Sequence, residues 1–213
     1  SDRLRCVAVF DPARERAEEA AAATGAQVAP SAEAVLTDPE VEIVAVLTPA
    51  FTHAGLVETG AAAGKHFMLE KPMATTVADA ERIVRAIDAA PVRCFHPTLR
   101  ALASDLFAEL AAWTAPDGPV GPVRCGFYRL LGIPYAPSAW LLDRDRCFPP
   151  AEYAPHVFDT FLALTGAEPV SVTCHAGNHA RPFAQDDVTS MNIDFDAGRH
   201  LQLDVHWAID PAW

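Results

Sequence analysis

Lysine is almost missing from this 213-residue chain: of its 16 basic residues fourteen are arginine, and only Lys65 and Lys71 are lysine. No run of basic residues occurs, and the formal charge is -12. Phosphate backbones are bound by clustered cations, so a nucleic-acid partner is excluded by composition. Cysteine gives no framework either. Cys6, Cys94, Cys125, Cys147 and Cys174 are odd in number, widely spaced and free of any C-x-x-C pair. That argues against a disulfide scaffold and a zinc site, and favours a reducing cytoplasm. No apolar stretch approaches the ~20 residues that span a bilayer, and SDRLRCVAVF is not a signal peptide, so no membrane attachment is expected. None of the eleven glycines builds a G-x-G-x-x-G turn.

What is present is a composition 51% hydrophobic, enough for one large or two small domains. Up to Pro97, short apolar runs alternate with helical stretches. LRCVAVFDP reads as a buried strand, ARERAEEAAAATG as a helix stopped by Gly25, and VEIVAVLTP as a second strand. HAGLVETGAAAG follows as a helix, KHFMLEKP as a third strand, TTVADAERIVRAIDAA as a helix capped by Thr76, and PVRCFHP as a fourth strand. Strict alternation predicts a doubly wound parallel sheet over 1–97.

Past Pro97 the period changes. LRALASDLFAEL sets Leu99, Leu102, Leu106, Phe107 and Leu110 on one helical face, and a proline- and glycine-rich loop follows. VRCGFY, PVSVTCHA, DVTSMNIDF and HLQLDVHW alternate with period two, the last two joined at Asp196-Ala197-Gly198. Residues 98–213 therefore read as an α+β domain with an open, mainly antiparallel sheet, on which the helix AEYAPHVFDTFLALTG packs Phe158, Phe161 and Leu162.

Ligands collect at the carboxyl ends of strands in α/β sheets, and three such ends here are polar: Asp11, Thr48 with Pro49, and Glu70 with Lys71. Asp11 has the residue type that accepts a ribose hydroxyl of NAD, against the competing reading of a turn aspartate before Pro12. Lys71 can polarise a substrate oxygen, or simply pair with Glu70 at the surface. Glu152 and His156 are four apart on a predicted helix, where a carboxylate can orient an imidazole for acid-base work; packing or capping is the alternative for the histidine. His175 and His179 are not expected to hold a metal, and Gln185, Asp186 and Asp187 read as solvated loop residues.

Together these stretches resemble the glucose-fructose oxidoreductase and inositol dehydrogenase family (Gfo/Idh/MocA). VAVFDP resembles its second strand with the ribose acid, and VLTPAFTH its T-P-x-x-x-H turn beside the cofactor. GKHFMLEKPMATT is similar to its G-K-H-V-x-x-E-K-P-x-A segment, and EYAPHVFD to its D-x-G-x-H-x-x-D helix. The resemblance implies hydride transfer between a nicotinamide and a sugar, cyclitol or similar polyol, with Lys71, His156 and Glu152 catalytic. It implies NAD or NADP contacts at Asp11, Thr48, Pro49, His53, Glu70, Lys71 and Pro72, and no metal. Lys71 and His156 would meet the substrate; the loop residues Tyr135, Trp140, Arg144 and Arg146 are expected to shape its pocket, with packing and solvated surface as the competing reading of such side chains.

A carboxylate at 11 repels a 2'-phosphate and favours NAD, while Arg14 keeps NADP open. A homodimer or homotetramer through the C-terminal sheet is implied as well. The chain departs from the family pattern in three places. It starts at the second strand, which points to a piece of a longer polypeptide, to a strand supplied by another chain, or to a cofactor site that has been abandoned. Glu152 and Ala154 replace an aspartate and a glycine, and the last sheet strands are not reached by Trp213. A relative without cofactor that serves as a binding or scaffold subunit, and a non-redox acid-base enzyme, stand as alternatives. The central geometric expectation is that the Lys71 amine and the His156 imidazole share one crevice.

Overall fold

A computed structural model of the chain describes residues 4–96, 104–132, 143, 149–179 and 186–207. The fold divides into two units, Ser1–Pro97 and Thr98–Trp213.

The first unit follows the β/α alternation. β1 (Ala8–Val9) leads to α1 (Arg14–Thr24), which ends at Gly25 with φ 75°. That left-handed conformation is open to glycine without the Cβ penalty, and its N–H returns to the Ala21 carbonyl. Two short elements come next that the periodicity does not announce: β2 (Gln27–Val28) and α2 (Ala32–Thr37). Ser31 starts α2 by accepting the Ala34 N–H at 3.1 Å. β3 (Ile43–Val46), α3 (His53–Ala62), β4 (His66–Leu69), α4 (Val77–Asp88) and β5 (Cys94–Phe95) complete the unit. Thr76 caps α4 through the Asp79 N–H at 3.1 Å.

All pairings here are parallel, but they form two sheets, β1-β2 and β3-β4-β5. Among the described residues β1 and β3 are therefore edges, not neighbours. The side chains of β3 divide by face: Val46 is buried, whereas Ile43 is 52% exposed and Leu47, just beyond, 67%. A parallel strand usually buries both faces. The core lies on the other side, where Leu36, Val57, Phe67, Leu69 and Ile83 pack together. Each fully buried large apolar side chain there contributes roughly 1.5–3 kcal/mol.

The second unit contains α5 (Asp105–Trp113), β6 (Cys125–Leu131), α6 (Pro149–Thr165), β7 (Pro169–Gly177), β8 (Val188–Phe195) and β9 (His200–His206). α5 starts later than the leucine spacing predicts, because Ser104 caps it by accepting the Phe107 N–H; Leu99 and Leu102 lie outside the described residues. Leu106 stays exposed, so the apolar stripe of this helix is only partly used. The sheet has the order β6-β9-β8-β7, with β7-β8 and β8-β9 antiparallel and β6-β9 parallel. It is mixed but mainly antiparallel.

One face of that sheet is dry. Ile193, Phe195 and Leu201 pack with Phe161, and partly with Phe158 and Leu162, as the helical spacing predicts. Leu203, Val205 and Trp207 meet Tyr153, Ala154 and Val157 from the same helix. Period-two alternation sends the intervening residues to the opposite face. There the register sets Arg129, Asp204, Ser190 and His175 in one row across four strands, and Cys125, His200, Asp194 and Ser171 in another. The β8-β9 turn has Ala197 at φ 51° and Gly198 at φ 68°. No helix among the described residues is long and apolar enough to cross a membrane.

Candidate functional site

The first unit gathers its polar candidates at the carboxyl edge of β3-β4-β5. Val46 and Leu69 are register partners, and the Glu70 N–H still reaches the Val46 carbonyl at 3.0 Å, so pairing runs one residue beyond β4. Thr48 and Lys71 then stand at equivalent positions past their strands. Lys71 is half-buried, Pro72 is buried, and the peptide between them is cis. Pro49 opens a single 3-10 turn, Ala50–Thr52, that feeds α3. The Thr52 hydroxyl donates to the Pro49 carbonyl at 2.8 Å and lies 2.6 Å from the Thr48 hydroxyl.

His53, read by resemblance as a cofactor contact, is fully buried. Its Nε2 lies 2.8 Å from the Thr48 carbonyl and its Nδ1 3.1 Å from that of Met73. Both ring nitrogens face main chain, so this histidine braces the edge instead of presenting a nitrogen to a ligand. It ties the end of β3 to the segment two residues past Lys71. Sequence reasoning missed a different histidine, His96, which follows β5 and whose Nδ1 lies 2.5 Å from the Leu69 carbonyl. Its signal was a polar residue at a fourth strand end.

Asp11 stands just past β1, in the other sheet of the same unit. One of its carboxylate oxygens accepts the Ala13 N–H at 2.7 Å, the local turn chemistry that its place before Pro12 suggests. The second oxygen is left to accept another donor. Arg14 pairs with Glu18 at 2.6 Å, one helical turn on.

In the second unit the candidates lie on α6. His156 is exposed, and its main-chain carbonyl accepts the Thr160 hydroxyl at 2.7 Å. Glu152 is on the same helix one turn earlier; its side chain lies outside the described residues, as do Tyr135, Trp140, Arg144 and Arg146. Pro155 is inside the helix and has no N–H to give to position 151. Tyr153 is held beside His156 by an edge-on contact with Trp207, centroids 6.5 Å apart; such pairs add about 0.5–1.5 kcal/mol.

Asp186 and Asp187 correct the expectation of solvated loop residues: both are buried, Asp187 completely. An Asp187 carboxylate oxygen accepts the His179 N–H at 2.8 Å, and its carbonyl accepts the Trp207 N–H at 2.6 Å. Asp187 thus joins the start of β8 to the end of β9; Gln185 lies outside the described residues. Among the described residues no group of His, Cys, Asp and Glu forms a metal site. Elsewhere on the sheet, burial opposes charge on Asp204, but hydrogen bonds from Ser190 and Arg129 outweigh it and hold the carboxyl below its usual range. Asp194 is lowered too, first by its hydrogen bond with His200 and then by Ser171.

A parallel α/β unit with its polar residues at strand ends is followed along the chain by a unit with a helix-backed mixed sheet, a Rossmann-like arrangement with an α+β second unit. Residues 1–97 match the family model described as oxidoreductase family, NAD-binding Rossmann fold, and residues 123–212 match the Gfo/Idh/MocA C-terminal domain. The chain belongs to the Gfo/Idh/MocA family. It is 30% identical over 171 residues to UDP-N-acetylglucosamine 3-dehydrogenase of Acidithiobacillus ferrooxidans, covering 77% of this chain and 48% of that one. It is 27% identical over 201 residues to scyllo-inositol 2-dehydrogenase (NAD(+)) of Bacillus subtilis, covering 91% and 57%. A solved NAD-binding protein from Listeria innocua superposes with TM-score 0.81 at 25% identity, covering 94% of this chain and 58% of that one. The chain thus spans about half the length of the curated relatives it matches.

Proposed function

We propose that the protein is a nicotinamide-dependent oxidoreductase acting on a sugar, cyclitol or similar polyhydroxylated molecule. The observation that carries this reading is the placement of Lys71 beside Thr48 at the carboxyl edge of a parallel sheet, where α/β folds bind ligands. The relatives supply the substrate class: one is named for a nucleotide sugar, another for an inositol.

The residues present fit the two ends of a dinucleotide. Asp11 offers a free carboxylate oxygen for a ribose hydroxyl, and Thr48, Pro49, Glu70, Lys71 and Pro72 form the edge for the nicotinamide end. The chain's glycines supply no pyrophosphate turn of the G-x-G-x-x-G kind. NAD is favoured over NADP, because the Asp11 carboxylate repels a 2'-phosphate and Arg14 is engaged by Glu18. When bound, the nicotinamide supplies the hydride chemistry. Lys71 Nζ holds the reacting oxygen, and the His156 imidazole exchanges its proton, with Glu152 one turn away to orient the ring. His53 keeps the edge in place from behind.

Association into a dimer or tetramer through the polar face of the second unit's sheet belongs to the same reading. Phe127 and Leu131 are exposed on that face and would be covered. NADH titration of the protein, followed by quenching of tryptophan fluorescence, tests the cofactor. Turnover on a panel of inositols and nucleotide sugars tests the substrate. Lys71→Ala is expected to lower turnover at least ~100-fold, the scale for losing acid-base or electrostatic help. A near-normal rate removes Lys71 from the mechanism, and absence of saturable quenching refutes the oxidoreductase reading.

A further inference from the structure

His96 has a role at this edge that neither the family motifs nor the sequence reading assigned. In the β4-β5 ladder Phe67 pairs with Cys94 and Met68 with Phe95, so His96 comes level with Leu69, directly before Glu70 and Lys71. The ladder is at its last rung there. The Phe67 N–H bonds the Arg93 carbonyl at 2.8 Å, and continuing the parallel pattern would bring the N–H of residue 97 to the Leu69 carbonyl. Residue 97 is proline and has no N–H. The His96 ring supplies the missing donor through Nδ1, 2.5 Å from the Leu69 oxygen.

That substitution fixes the chemistry of the other ring nitrogen. A carbonyl oxygen only accepts, so the hydrogen of the neutral imidazole lies on Nδ1, and Nε2 keeps its lone pair. His96 is half-buried, and Nε2 has no hydrogen-bond partner among the described residues. Beside an amine at position 71 that can only donate while protonated, an acceptor completes a donor-acceptor pair at the strand ends.

We propose that His96 Nε2 is a ligand-binding acceptor at the carboxyl edge of β5. It takes a hydrogen bond from a donor of the ligand held beside Lys71, either the carboxamide NH2 of the nicotinamide or a hydroxyl of the polyol substrate. The inference rests on the oxidoreductase reading for the identity of that ligand. The tautomer it requires does not rest on it.

The test has three arms. Nitrogen-15 spectra of the imidazoles at neutral pH are expected to show the His96 hydrogen on Nδ1; a hydrogen on Nε2 instead overturns the proposal whatever the protein binds. His96→Leu is expected to weaken either NADH binding or substrate KM about tenfold, the worth of one such hydrogen bond. His96→Gln, which can donate to Leu69 and still accept, is expected to recover much of the loss. Comparing NADH with its 3-acetylpyridine analogue, which lacks the carboxamide NH2, separates the two sources. If the carboxamide is the donor, the wild type prefers NADH and His96→Leu loses that preference; if a hydroxyl is, the preference persists and substrate KM alone moves. Unchanged NADH affinity and KM in a folded His96→Leu protein overturn the proposal while leaving the oxidoreductase reading intact. A wild type that does not bind NADH, with a substrate KM indifferent to His96, overturns both.

Discussion

Replacing Lys65 with methionine tests how the first unit holds the approach to β3. Lys65 is 6% exposed, and its Nζ donates to the Asp38 carbonyl at 2.6 Å and the Val41 carbonyl at 2.7 Å, more than twenty residues back along the chain. It therefore binds the turn before β3 to the start of β4. Lys65→Met keeps the apolar stem and relieves the burial of a polar head group, which favours the variant. It also leaves the Val41 carbonyl without its donor in a buried contact, while the Asp38 carbonyl still accepts the Val41 N–H at 3.1 Å. A buried group left unsatisfied costs about 1–3 kcal/mol, and hydrogen bonds from a charged donor lie in the upper part of the range. The carbonyl loss outweighs the relief, for a net destabilisation of about 1–2 kcal/mol. In a cooperative unit of this size that lowers Tm by ~4–16 °C. Thermal unfolding followed by circular dichroism reads it directly. A Tm within ~1 °C of wild type would show that water replaces the amine, and the argument for a buried strap would be wrong.

Three other perturbations probe separate parts of the molecule. Gly60→Ala would set its Cβ 2.8 Å from Phe67 Cζ and 2.9 Å from Leu36 Cδ2, inside the packed core; the expected loss is about 1–3 kcal/mol in urea unfolding, and an unchanged midpoint would mean that both side chains retreat freely. Arg129→Gln removes a 3.2 Å contact with Asp204. The folded Asp204 carboxyl is lowered, so its contribution is complete above the ordinary carboxylate value near ~4 and is lost as pH falls through the folded value. The acid transition of Arg129→Gln should accordingly move to higher pH, and a midpoint that stays put rejects the network. Phe161→Ala, buried against Phe195 at 4.8 Å between centroids, should cost about 3–5 kcal/mol; a loss below ~1 kcal/mol would place the core elsewhere.

The long elements were legible because their signals are periodic. Gly25 and Gly64 end helices in the sequence and have positive φ in the structure, and Thr76 caps the helix it was expected to cap. β2 and α2 escaped because two strand residues and a six-residue helix are too short to show a period. Parallel pairing of β6 with β9 was invisible for another reason: alternation reports which face a residue takes, not which strand lies beside it. At the candidate site, strand ends marked Thr48, Glu70 and Lys71, since a polar residue after an apolar run is a local signal. The burial of His53 and Asp187 was not legible. Both depend on carbonyls and amides contributed by distant segments, Met73 in one case and Trp207 in the other. The two lysines, notable in the sequence for the same rarity, separate in the structure: Lys65 is buried against carbonyls, and Lys71 stands at a strand end.

The strand order of the second sheet bears on how the protein is made. β9 lies between β6 and β8, and its contact with β6 joins positions 75 residues apart, Arg129 and Asp204. During synthesis β6, α6 and the β7-β8 hairpin leave the ribosome before the strand that unites them. Until residue 207 is free, β6 lacks the strand that it pairs with among the described residues, and the apolar side of α6 lacks the part of its floor that β9 supplies. Nascent chains stalled before β9 should therefore be protease-sensitive and chaperone-bound in this half, while the β/α half, built from nearer neighbours, is already folded.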